Sequence, residues 1–104
     1  MIATQIARII ADFVLFLDLR DDADIIDADD AVKMTEWLAH RLEVLDKGFL
    51  RELVDAFAVI APEYGGESQQ LVRDIPYNFY LEEELAADDP VRLAELDAIR
   101  EARD

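Results

Sequence analysis

The sequence predicts an all-α fold, a compact irregular antiparallel bundle of four to five helices that forms a single helical domain over residues 1–104. Three observations support this prediction. Apolar residues recur at the three- and four-residue steps of amphipathic helices, and no stretch alternates long enough to indicate a strand. All three glycines lie in predicted connections. An apolar content of 53% is enough to fill one modest core in 104 residues.

The first predicted helix runs from Ile2 to Leu19 and carries a broad apolar stripe, so we expect it to be central and well buried. The stretch from Arg20 to Asp30 is rich in aspartate, which is a poor helix former and a strong N-cap. It is therefore predicted to be a loop that ends in a helix start. Asp29 or Asp30 is the expected cap.

The second helix is predicted to reach about Leu45. We expect its apolar side to contain Trp37 as a core residue, together with Val32, Met34, Leu38, Leu42 and Leu45. The segment Asp46–Gly48 is predicted to turn the chain into a third helix. That helix should stop at Pro62, because proline lacks an amide hydrogen and its ring clashes with the preceding turn.

The C-terminal part is predicted from its prolines and glycines. Tyr64–Gly66 should connect to a short helix from about Glu67 to Asp74, which ends before Pro76. The stretch Ile75–Tyr80 is expected to be irregular or a single turn. Asp89 as cap and proline at the first helical position predict a last helix, whose apolar face carries Leu93, Leu96 and Ile99.

The charge restricts the function. Asp and Glu number 25 against 10 Lys and Arg, which gives a formal net charge of −15. Such a chain repels nucleic acid and anionic membrane surfaces and favours basic partners. The absence of cysteine excludes disulfides and fits a reducing compartment, so a cytoplasmic location is expected. The N-terminal segment resembles neither a signal peptide nor a membrane span.

The sequence carries no recognisable motif for catalysis or for metal or cofactor binding, so we expect a protein that is not an enzyme and binds neither metal nor cofactor. In the aspartate-rich stretch, an EF-hand register starting at Asp22 places Ile26 at position five and Lys33 at position twelve, where calcium ligands are required. His40 is the only histidine, and zinc sites need more ligands than it can provide. Ser68 lacks the glycine-flanked context of a hydrolase nucleophile.

Two segments are candidate partner-binding regions. In the second, tyrosines precede a run of glutamates, which combines hot-spot area with charge complementarity toward a basic surface. The alternative is that the tyrosines cover the edge of the core and the acids form a solvated face. The candidate residues of the first segment are Asp21, Asp22, Asp24, Asp27, Asp29 and Asp30. Those of the second are Tyr77, Tyr80, Glu82, Glu83 and Glu84.

The combination of Asp21–Asp30, Ile75–Leu85 and strong acidity resembles bacterial immunity proteins and antitoxins, which neutralise basic nucleases or other toxins. The resemblance implies an inhibitor that occludes a basic cleft of its partner with carboxylates. Two alternatives remain. One is a nucleic-acid mimic that inhibits a DNA- or RNA-binding protein. The other is a structural or oligomeric helical adaptor, which exposed apolar residues on the last helix would favour.

Overall fold

The computed structural model describes residues 2–19 and 27–103. These residues contain no strand, which confirms the all-α prediction. The expected four to five helices become four long helices of 14 to 18 residues, one of eight residues and two short turns of helix. In chain order the helices are α1 (Ile2–Leu19), α2 (Ala28–Glu43), α3 (Lys47–Ile60), α4 (Gly66–Arg73), α5 (Ile75–Asn78), α6 (Leu81–Leu85) and α7 (Pro90–Arg103).

The core lies between α1 and α3. Leu50, Leu53, Phe57 and Ile60 of α3 have no exposed surface. On α1 the facing side chains include small ones such as Ala3, Ala7 and Ala11, and small side chains let two helix axes approach closely. Residues from α4, α5 and α6 extend the same apolar cluster.

The start of α2 differs from its prediction. Asp27 is the N-cap, in extended conformation, and its Oδ1 accepts a hydrogen bond of 2.8 Å from the amide of Asp29. The expected caps Asp29 and Asp30 lie instead in the first turn of the helix. The prediction was wrong because adjacent aspartates are equally good caps by residue type, and only the backbone angles distinguish them. Asp21, Asp22 and Asp24 lie outside the described residues.

The buried side of α2 is also narrower than predicted. Ala31, Leu38 and Leu42 are buried, whereas Trp37 and Val32 are each 56% exposed and Met34 is 37% exposed. The prediction that Trp37 is a core residue is therefore wrong. Consecutive helical residues point about 100° apart, so the strip that buries Leu38 leaves Trp37 on the flank of the helix.

The other boundaries agree closely with the sequence. Helix α3 ends at Ile60, and Pro62 follows in a 3₁₀ turn, Ala61–Glu63. Gly48 lies in the first turn of α3 rather than in a loop, because Asp46 caps that helix by accepting from the amide of Phe49 at 3.0 Å. Asp89 caps α7 as predicted, since its Oδ1 accepts from the amide of Arg92 at 3.1 Å.

Helices α1 and α7 bury less of their apolar side chains than the sequence predicts. Helix α1 buries one side only, and Ile2, Ile9 and Phe16 remain 71%, 65% and 43% exposed. On α7 Leu96 is buried, but Ile99 is 52% exposed. No helix within residues 2–19 and 27–103 combines the length and apolarity that a membrane span requires.

Candidate functional site

The three glutamates of α6 form ion pairs with cations of this same chain. Their carboxylates pair with three different cations: Glu82 with Arg51 at 2.7 Å, Glu83 with Arg100 at 2.6 Å and Glu84 with Lys47 at 2.6 Å. Consecutive helical residues point in different directions, and here each direction meets a cation from α3 or α7. These side chains are only 18–32% exposed. They therefore join α6 to its neighbours and offer a partner less free charge than predicted.

The tyrosines of the same segment are stacked on arginines. The guanidinium of Arg100 lies 4.1 Å from the ring centre of Tyr77 and 3.8 Å from that of Tyr80. Arg100 also donates a hydrogen bond of 2.7 Å to the carbonyl oxygen of Tyr77. Arg103 stacks on Tyr77 at 3.9 Å. These contacts attach α7 to α5. They cover much of the aromatic surface that was proposed to bind a partner, although Tyr80 stays 57% exposed.

A concave surface runs along α2. One cleft of about 460 Å³ lies between α1, α2 and the α5 region, and a second of about 410 Å³ lies toward the start of α2. Both clefts are lined by Asp18, Thr35 and Glu36, so they form one continuous depression, which we call the α2 groove.

The floor of the α2 groove is mostly apolar, and its α2 side is made of small side chains. On α2 it is formed by Ala28, Val32, Thr35 and Ala39, whose four- and three-residue spacing places them on one face of the helix. Val14, Ile75 and Phe79 face them from the other side. From Ala28 to Glu43 the groove follows α2 for about 22 Å.

The rim of the α2 groove is acidic. Asp18, Glu36 and Glu43 line it, and no lysine, arginine or histidine does so among the residues that the structure describes. In this part of the chain, Glu36 and Glu43 take part in none of the ion pairs. The exposed aspartates Asp29 and Asp30 lie at the same end of α2 as Ala28. Above its apolar floor the groove therefore carries at least two carboxylates, Glu36 and Glu43, that form no ion pair within the described residues.

Tyr80 lies at the other end of the groove. Its backbone has φ 57° and ψ 34°, a left-handed conformation that costs a non-glycine residue about 1–2 kcal/mol. Strained residues of this kind often mark binding sites. Of the predicted residues of the second segment, Tyr80 is the one that lines the groove, and Tyr77 and the glutamates do not.

Sequence reasoning missed three groove residues, Asp18, Glu36 and Glu43. One signal was available: Asp29, Glu36 and Glu43 are seven residues apart, a spacing that aligns them on one side of a helix. No spacing rule connects Asp18 to them, because it belongs to another helix and reaches the groove through tertiary packing.

The groove offers a ligand an apolar surface edged by carboxylates. Within the described ranges no three carboxylate, histidine or cysteine side chains come close enough to hold a metal ion. The absence of calcium binding at Asp21–Asp30 stays a prediction, since most of that stretch is not described. Apolar floor and acidic rim together suit a cationic amphipathic ligand. Comparisons with protein-family models, curated proteins and solved structures find no match to this chain.

Proposed function

We propose that this chain is an acidic protein-binding module of the immunity or antitoxin type, which inhibits a basic toxin or nuclease by holding a basic segment of it in the α2 groove. The observation that carries the proposal is the groove itself, where the carboxylates of Glu36 and Glu43 lie above an apolar floor with no described cation lining it. The proposal includes a cytoplasmic location and requires neither a catalytic step nor a cofactor.

The groove favours a helical segment of the partner. Small floor residues at four- and three-residue spacing leave room for the apolar face of another helix to approach. A groove of about 22 Å accommodates a helix of about 15 residues. The partner's lysines and arginines would then reach Glu36 and Glu43 at the rim, where partial hydration keeps the cost of desolvating the charges small.

The spacing of the acidic residues favours inhibition through a protein contact and argues against mimicry of nucleic acid. Duplex DNA carries one negative charge per about 1.7 Å of axis. The aligned acids Asp29, Glu36 and Glu43 are about 10.5 Å apart along α2. The three glutamates of α6, which are adjacent in sequence, are already paired with Lys47, Arg51 and Arg100 of the same chain. The free charge along α2 is therefore too sparse to imitate a phosphate backbone.

The proposal is tested with the product of the neighbouring gene, co-expressed with three forms of this chain. The groove variant is Glu36→Gln with Glu43→Gln. The matched control is Glu52→Gln with Glu101→Gln, which removes the same charge from two exposed glutamates outside the groove. We expect the neighbouring product to be basic, to impair growth, and to be captured and neutralised by the wild-type and control chains.

The groove variant should capture that protein about tenfold more weakly and protect growth less, because two charge pairs at the rim are lost. Association should slow as sodium chloride rises, since salt screens the attraction. A neighbouring product that is neutral or acidic, or equal capture by the groove and control variants, would contradict the proposed function.

A further inference from the structure

Helix α1 carries two parallel apolar seams. The buried seam, at positions 3, 7, 10, 14 and 17, faces the core. The second seam is displaced by one residue and has the same four-three-four-three spacing: Ile2, Ile6, Ile9, Phe13 and Phe16. This spacing is the pattern by which one helix packs along another. In the described structure Ile2, Ile9 and Phe16 of the second seam are exposed, and Ile6 and Phe13 are partly buried.

The second seam continues onto α2. A cleft of about 220 Å³ opens between the two helices, and all of its lining residues are apolar: Ile9, Ile10, Phe13, Trp37 and Leu38. Trp37 lies at the edge of this cleft and is 56% exposed. Such a cleft between apolar side chains is the hole into which a side chain of a packing helix inserts. The exposed position of Trp37, unexpected from the sequence, is explained if another helix covers this edge.

We propose that a second copy of this chain covers the second seam, with the two α1 helices packed side by side in parallel about a two-fold axis. The charges on the two edges of the seam favour this arrangement. Lys33 and Arg41 lie on the α2 edge, four residues before and after Trp37, and neither forms an ion pair within the described residues. Asp12 lies on the opposite edge, where it accepts a hydrogen bond of 3.0 Å from the hydroxyl of Tyr64.

The orientation follows from the symmetry of these edges. A two-fold axis parallel to α1 brings the α2 edge of one copy against the Asp12 edge of the other, so opposite charges meet. An antiparallel arrangement brings each edge against its own counterpart, which places Lys33 and Arg41 near their equivalents. Like charges placed together oppose association, so the parallel arrangement is the favoured one.

The exposed area makes this a weak dimer. Ile2, Ile9, Phe16 and Trp37 are 71%, 65%, 43% and 56% exposed. At about 150–250 Å² for a large side chain, they offer roughly 350–600 Å² per copy. A standard interface contributes about 800 Å² per partner, so the polar edges must supply the rest. Each copy also carries a net charge of −15, so salt should strengthen the dimer by screening the repulsion. The proposed binding of a basic partner has the opposite salt dependence.

Sedimentation equilibrium of the full chain tests the dimer. We expect a weak, low-affinity interface, so the protein is measured at about 10–500 µM in low and in moderate sodium chloride. The seam variant is Ile9→Glu and its control is Val59→Glu. Both positions are 65% exposed, and both changes add one negative charge. We expect the wild type and the control to dimerise more as salt rises, and the seam variant to stay monomeric. A monomeric wild type throughout, or equal weakening in both variants, would overturn the proposal.

Cysteine cross-linking tests whether the two α1 helices are parallel. This experiment does not require the Ile9→Glu variant to be stable. The chain has no cysteine of its own, so single cysteines report cleanly. Ile2→Cys and Val91→Cys replace residues that are both 71% exposed, one at the end of the seam and one on α7. A parallel dimer brings the two copies of residue 2 together, so Ile2→Cys should form a disulfide-linked dimer at least tenfold faster. Equal rates, or faster linkage through Val91→Cys, would exclude the parallel seam.

Discussion

Arg100 connects more groups than its single charge suggests. Its guanidinium pairs with Glu83, donates to the carbonyl oxygen of Tyr77 and stacks between two tyrosine rings. Its side chain is 16% exposed and that of Glu83 is 18% exposed, so the pair is shielded from most of the solvent. Most ion pairs at protein surfaces contribute little to stability, but this one is supported by hydrogen bonds and ring contacts.

Replacing Arg100 by methionine should therefore lower the free energy of unfolding by about 1–3 kcal/mol, because it leaves the Glu83 carboxylate without its cation. The control is Arg92→Met, because the Arg92 side chain is 41% exposed and pairs with Glu95 at the surface. The control should change stability by less than about 1 kcal/mol. Urea unfolding measures both, and equal losses would show that the Arg100 stack does not stabilise the fold.

The same pair predicts a pH dependence. The hydrogen bond from Arg100 is the main cause that lowers the pKa of Glu83 from its ordinary value of 4.5. A carboxyl whose folded pKa is lowered stabilises the fold above its unfolded pKa, and the contribution is lost as pH falls through the folded value. The stability difference between wild type and Glu83→Gln should thus be largest near neutral pH and shrink below about pH 4.5. A difference that is constant down to pH 3 would contradict this assignment.

Individual residues also show what the sequence could and could not predict. The sequence indicates Tyr77 to Glu84 as a candidate partner-binding segment, but it could not show that these side chains form ion pairs and ring contacts within the chain. Their cations are distant in sequence: Lys47 lies 37 residues from Glu84, and Arg51 lies 31 residues from Glu82. Only the tertiary packing of α3 and α7 against α6 brings these charges together.

At the scale of helices, local sequence signals predict where most helices begin and end. They do not predict which face of each helix is exposed to solvent. Helix α1 has the predicted bounds because its apolar stripe is continuous, and α7 starts where Asp89 and Pro90 predict. The stripe of α1 is wider than its neighbouring helices cover, so Ile2, Ile9 and Phe16 stay exposed. An apolar pattern shows which residues favour burial, but it cannot show whether this chain contains enough helices to bury them.

The N-cap of α2 gives a direct test of one corrected boundary. Changing Asp27 to alanine should destabilise the protein by about 1 kcal/mol, because the amide of Asp29 loses its acceptor. Asp27→Asn is the matched control, since asparagine caps helices as well as aspartate and should cost little. Thermal or urea unfolding measures both changes. If Asp27→Ala is neutral and Asp30→Ala is destabilising, the cap expected from the sequence is the right one.

Helix α7 should be the first long helix to open. Its only buried residue is Leu96, which does not belong to the main apolar cluster, so its attachment depends largely on the Arg100 stack. Amide hydrogens of α7 should exchange faster than those of α1 and α3, because regions with few buried apolar contacts open at lower free energy. Arg100→Met should accelerate exchange in α7, and α3 should remain the better protected of the two helices. Protection in α7 equal to that in α3 would contradict this picture.

For the whole molecule, charge repulsion is the dominant electrostatic feature. The ion pairs described lie mostly at the surface, and the acids exceed the bases by 15. Since salt screens repulsion, the thermal midpoint should rise between low and moderate sodium chloride. Differential scanning calorimetry measures it. A midpoint that falls with salt would mean that the ion pairs outweigh the repulsion.

The central claim is that the acidic α2 groove binds a basic amphipathic helix. The direct measurement is an NMR titration with a designed helical peptide of about 15 residues that has a leucine face at four- and three-residue spacing and lysines and arginines elsewhere. The wild type and the Glu52→Gln, Glu101→Gln control should bind it alike, with shifts concentrated at Val32, Thr35 and Ala39. The Glu36→Gln, Glu43→Gln variant should bind about tenfold more weakly. Shifts spread over α4 and α7, or equal affinity for the two double variants, would show that the peptide is attracted by net charge alone and would contradict the account.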